Sequence, residues 1–179
     1  MKSRKMKPEL PSTTSTQYKE DSEQSPPDPL PTLFLDNDQG TKILPDILTR
    51  AGLSTKRLQD SFDRATPDHE WIPEVAKNGW VIVTSDKGIE TDPQNREAVI
   101  ESNAKIVMLD ENNSRAVTWA SAIIVSRESI RDAFKTCAEA CIVSLRNTGS
   151  LTHTRRILVK PGAAKTETNL NLRAAPISS

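Results

Sequence analysis

Nowhere in the 179 residues do about 18 apolar side chains follow one another, so the chain offers no membrane-spanning helix. The lysine-bearing first residues lack the apolar stretch that a signal peptide needs, and a soluble, cytoplasmic protein is the expectation. Cysteine is nearly absent too: only Cys137 and Cys141 occur. They stand four apart in a helical pattern with both facing the core, and a helix is a poor frame for bridging them. With no His pair nearby they read as small buried hydrophobes and not as zinc ligands. The first 30 residues hold almost no large apolar side chain and end in a proline-rich run that favours extended backbone.

What is present fits one domain with length to spare. Hydrophobic residues make up 35% and mean hydropathy is −0.53, polar enough that part of the chain is expected to lie outside any core. Residues 1–30 read as a disordered N-terminal arm, residues 31–160 as the domain and residues 161–179 as a polar C-terminal tail. The net charge of +0 hides an asymmetry: residues 31–115 carry 15 acids and 10 bases, residues 127–179 carry 4 acids and 9 bases. That distribution suits a cation site beside a polyanion-binding surface, and equally suits ordinary solvated faces.

From residue 33 onward short apolar runs alternate with helical ones. "LFL" at 33–35 is brief, continuous and followed by acids, as in a buried parallel strand. Residues 41–51 place Ile43, Leu44, Ile47 and Leu48 on one helical face, and Gly52 stops that helix. "LSTKRL" is a weak strand candidate, followed by an irregular loop carrying Phe62. Thr66 and Pro67 read as N-cap and first helical residue of a helix that turns Trp71, Ile72 and Val75 inward and closes at Gly79. "WVIVTSD" at 80–86 is the strongest strand, without polar alternation. A helix over 93–102, a strand at 105–110 and a helix over 114–125 follow. The spacing of Ile130, Phe134, Cys137, Cys141 and Leu145 then predicts one long helix from Arg127 to about Asn147, before a last strand "RRILV".

Strands alternating with helices imply an α/β three-layer sandwich with a mainly parallel central sheet. Ligands of such sheets bind at the carboxyl ends of the strands. Asp36 and Asp38 follow the first strand, Asp86 the central one, and Asp110 with Glu111 the next, so several acids are expected on one edge. Gathered carboxylates repel unless protonated or neutralised, and a divalent cation such as Mg2+ or Mn2+ is the economical remedy. Such an ion would acidify a bound water and offset charge on a phosphate in transit. Taken singly, each acid also serves as a turn or cap residue, and Asp68 and Glu70 occupy a helix's first turn, where negative charge is favoured anyway.

"FLDND" at 34–38, followed by "TPDHEWIPEVAKNGWVIVTSDKGI" at 66–89, resembles the PIN-like domains of the PIN ribonuclease superfamily, in particular its short branch of toxin components from toxin-antitoxin modules. The resemblance covers residues 33–110 well and extends loosely to 160. It implies metal-dependent cleavage of RNA, with Asp36, Asp68 and Asp86 holding Mg2+ or Mn2+ and orienting the attacking water. Asp38, or failing it Glu70, is the fourth acid, Lys87 neutralises a substrate phosphate, and Thr84 positions water or ligand. An antitoxin protein is the partner this branch implies, and a second copy of the chain is a further candidate. The marks of an RNA surface are thin, because aromatics total 4%. His69 reads as a solvent-facing helix residue and not as a base.

"LDNDQGT" also looks like the aspartyl-phosphate motif of haloacid-dehalogenase-like phosphatases, with Asp36 as nucleophile, Asp38 as general acid, and Thr84, Lys105, Asp110 and Glu111 in later roles. Gly40 departs from that motif, which usually carries Thr or Val there. A third reading is a catalytically silent PIN-like scaffold that binds a partner protein.

Overall fold

The computed structural model describes residues 29–37, 39, 42–110, 115–156 and 168–170. The N-terminal arm before residue 29, most of the C-terminal tail, and the candidates Asp38 and Glu111 lie outside the described residues.

The apolar runs form the middle of a sheet. β1 (Leu33–Leu35), β3 (Val81–Thr84), β4 (Lys105–Leu109) and β5 (Cys141–Leu145) are buried along nearly their whole length. Successive side chains of a strand leave opposite faces, so unbroken apolarity demands cover on both sides. On one face Leu33, Leu35, Val81, Val83, Val107, Leu109 and Val143 pack against α1 (Ile43–Arg50) and α6 (Ala116–Lys135). On the other, Phe34, Ile82, Ile106 and Met108 meet α3 (Asp68–Lys77) and α5 (Pro93–Glu101), with Leu58 of the short α2 (Leu58–Ser61) and Ile89 of α4 (Gly88–Thr91). The result is the expected three-layer α/β sandwich.

β2 (Thr55–Arg57), β6 (Leu151–Arg156) and β7 (Thr168–Leu170) complete the order β2-β1-β3-β4-β5-β6-β7. Pairing is parallel from β2 to β5 and antiparallel for β6 and β7. β2 and β3 lie on opposite sides of β1, and the helices that follow β1 and precede β3 lie on opposite faces. The winding reverses at the carboxyl ends of β1 and β3, the place where sheets of this kind form a ligand-binding crevice. Leu35 is in register with Val83, so both strands deliver their next residues to one level.

The structure corrects several sequence expectations. The long helix over 127–147 does not exist: α6 ends at Lys135, and residues 141–145 are the inner strand β5. A strand buried on both faces offers no polar alternation, so Cys141 and Leu145 fell in phase with the helix before them. Cys137 and Cys141 form no disulfide among the described residues and are buried, but outside any helix. In the connection between α6 and β5, Lys105 Nζ donates to the carbonyls of Cys137 and Glu139. Pro67, not Thr66, takes the N-cap position of α3, with extended ψ of 147° and no side-chain cap bond. α2 replaces part of the expected irregular loop, and Thr168–Leu170 forms an edge strand inside the segment read as a polar tail.

Candidate acidic site at the β1–β3 crevice

Asp36 is the first residue past β1, and its N–H still donates to Val83 O at 3.1 Å, which holds it against the end of β3. The residue is only 8% exposed. Asp36 Oδ1 accepts the Asn37 N–H at 2.6 Å and Oδ2 accepts the Thr84 hydroxyl at 2.8 Å. Thr84 is fully buried, and its Oγ1 accepts the Asp86 N–H at 2.9 Å. One hydroxyl therefore fixes the carboxylate after β1 and the backbone of the acid after β3. The Asp86 carboxylate is exposed, with Oδ1 accepting the Gly88 N–H at 2.7 Å. Gly88 leaves room for it: a Cβ there would stand 3.0 and 3.1 Å from the two carboxylate oxygens.

Asp68 enters from the opposite side, at the first turn of α3. Its Oδ1 accepts the Trp71 indole N–H at 3.1 Å and its Oδ2 accepts from Asn95 Nδ2 at 3.2 Å. Asn95 Nδ2 also lies 3.4 Å from Gly88 O, a longer contact. Asn95 is held by Asp92, which caps α5 by accepting the Gln94 and Asn95 N–H groups at 2.9 and 3.1 Å. Hydrogen bonds thus run from Asp36 through Thr84, Asp86, Gly88 and Asn95 to Asp68. Sequence reasoning missed Asn95, although the "DPQN" cap that positions it was available as a signal. It also missed Gln39, whose Nε2 donates to Ser85 Oγ at 3.0 Å across the crevice.

The electrostatics agree with this convergence. The Asp68 carboxyl is pushed above its ordinary value, first by burial and then by the charge of Asp36, with Asp86 adding to the rise. The Trp71 indole and the positive charge of His69 oppose it. Asp36 and Asp86 therefore act on Asp68 from two other segments of the chain.

The remaining candidates stand apart. Glu70 and Lys87 are exposed, and Lys87 is the N-cap residue of α4. His69 is half-buried and lines an open hollow of about 430 Å³ between α3 and α5, beside Pro73, Gln94 and Glu97. Asp110 accepts from Thr152 Oγ1 at 2.9 Å, tying it to β6. Lys105 begins β4, at the end of the sheet opposite the acids, and cannot join Asp36 in phosphatase chemistry.

Carboxylate oxygens are the donors that Mg2+ and Mn2+ take, and Asp36, Asp68 and Asp86 supply them where negative charge accumulates. The donor set fits a divalent cation in kind. In the arrangement described, however, no three His, Cys, Asp or Glu side chains stand as a metal-binding group among the described residues.

No curated protein and no solved structure matches the chain. The family model described as a PIN-like domain matches residues 31–111, the stretch from the entry to β1 through the end of β4 that carries Asp36, Asp68 and Asp86. With its acids at the ends of the first and third strands and at the start of α3, this part of the chain is similar to the PIN-like domains, a superfamily whose members are generally nucleases.

Proposed function

We propose that the crevice is the active site of a metal-dependent endoribonuclease that hydrolyses RNA phosphodiester bonds. The observation that carries the reading is the run of hydrogen bonds through Thr84, Gly88 and Asn95 that links Asp36, Asp86 and Asp68, three acids from separate segments, at one edge of the sheet. Asp36, Asp68 and Asp86 would hold Mg2+ or Mn2+, which when bound supplies an acidified water and charge to offset the substrate phosphate. Within the chain, Thr84 orients the Asp36 carboxylate toward one lone-pair direction. Asn95 orients Asp68. Lys87, exposed beside Asp86, meets the substrate as a point charge.

Cleavage of structured and unstructured RNA with Mg2+ or Mn2+, wild type beside Asp36→Asn, tests this directly. Cleavage undiminished in the variant removes Asp36 from the mechanism. A toxin role within a toxin-antitoxin pair is a refinement of the same activity; an antitoxin would cover the acidic edge, and its addition should then suppress cleavage.

One observation favours a second reading, a catalytically silent scaffold: no three acids are grouped as metal ligands among the described residues. A thermal shift with Mn2+ that disappears in Asp86→Asn separates the two, because a scaffold has no reason to bind the ion.

A further inference from the structure

The side chain of Arg96 is half-buried, and its Nε is shielded from solvent with no hydrogen-bond partner among the described residues. Nor does its guanidinium form an ion pair or another side-chain hydrogen bond among them. Orphaned buried donors are rare and call for a reason. Stability does not supply one. Arg96 is the fourth residue of α5, near the positive end of the helix dipole, where a cation is disfavoured.

Its place in the fold supplies a better one. α5 connects the parallel strands β3 and β4, so its first turn lies at the carboxyl end of the sheet with the acids. The residue before Arg96 is Asn95, which reaches Asp68. Gln94, Glu97 and Ala98 line the cavity on the α3 side of the helix, and at about 100° per residue Arg96 projects from the other flank. An RNA strand crossing the acidic edge meets repulsion from Asp36, Asp68 and Asp86, and must find cations beside them to bind. A guanidinium stays charged at any working pH and offers a planar fork that matches phosphate.

We propose that Arg96 is a substrate-binding residue that takes a phosphate of the RNA strand next to the one being cleaved. This rests on the ribonuclease reading. Arg96 then contributes to binding what it withholds from folding.

The test measures binding of a labelled single-stranded RNA to the full chain over a salt series, with Ca2+ replacing the catalytic ion, for wild type, Arg96→Lys and Arg96→Gln. Arg96→Gln should weaken binding about tenfold and flatten the slope of log affinity against log salt by about 0.7, the share of one phosphate contact. Its melting temperature should be unchanged or higher. Arg96→Lys should restore the slope and only part of the affinity. Wild-type affinity and slope in Arg96→Gln would overturn the inference while leaving the ribonuclease reading standing. A wild-type protein that neither binds nor cleaves RNA would overturn that reading, and the inference with it.

Discussion

Thr84 Oγ1 donates its hydrogen to Asp36 Oδ2 across 2.8 Å, and Thr84 Oγ1 itself accepts the Asp86 N–H at 2.9 Å. Both bonds are removed in Thr84→Val, which keeps the shape and leaves a buried carboxylate short of a donor. The expected loss is about 1.5–3 kcal/mol, the range for hydrogen bonds to charged groups. Thr84→Ser keeps both bonds and should lose less. Urea unfolding of the three proteins checks the order, and cleavage should fall in the valine variant by more than its stability alone explains.

Asp68 should give the site a pH signature. Its folded-state carboxyl is raised above the ordinary 3.8, so the folded protein binds that proton more tightly than the unfolded chain does. The associated stabilisation is fully present below the ordinary value and is lost as pH rises through the raised one. Metal-free protein should therefore gain stability from Asp68 on acidification, and Asp68→Asn should lack that gain. Mn2+ acts in the opposite sense: its thermal shift should be largest at neutral pH and shrink as protons reclaim Asp68. Melting curves in chelator and in Mn2+ across the acidic range decide both, and superimposable wild-type and Asp68→Asn profiles would contradict the assigned environment.

The sequence made the first half of the domain legible because each inner strand there ends in an acid or a hydroxyl. "LFLD" and "VIVTSD" mark both the buried run and the place where it reaches the edge. β5 was hidden for the opposite reason. "CIVSL" is buried throughout and follows a helix whose last apolar positions share its spacing. The three acids could be named from strand ends and from the PIN-like resemblance. Asn95 and Arg96 could not, because an Asn and an Arg in a polar helix turn look like surface until the fold brings α5 beside α3.

Low aromatic content also has a structural account that leads to a prediction. Of three Phe, three Trp and one Tyr, four residues gather around β1: Phe34 lies 5.5 Å from Trp71, 6.0 Å from Trp80 and 6.1 Å from Phe62 between ring centroids. These rings support β1 and are not offered to nucleic-acid bases. Phe34→Ala should cost about 3–5 kcal/mol, and Phe34→Leu, which nearly keeps the volume, less than about 1.5 kcal/mol. Denaturant midpoints measure both. At low temperature Phe34→Leu should retain cleavage, because Asp36 is held by Thr84 and Val83 and not by the ring.

Gly88 offers the opposite combination, a change that spares the fold and strikes the site. Its backbone is not in the left-handed region, so alanine is conformationally allowed. The atoms nearest the added Cβ would be those of the Asp86 carboxylate, with Oδ1 at 3.0 Å and Oδ2 at 3.1 Å. That carboxylate is exposed and rotates away at little cost, so Gly88→Ala should change stability by no more than about 0.5 kcal/mol. Displacing a catalytic carboxylate by a fraction of an ångström is more serious for chemistry, and cleavage should fall about tenfold or more. Asp86→Asn marks the floor, since it removes the charge itself. Should Gly88→Ala cleave RNA at the wild-type rate with an unchanged Mn2+ response, the position of the Asp86 carboxylate would have no bearing on catalysis, and the acidic site would reduce to Asp36 and Asp68.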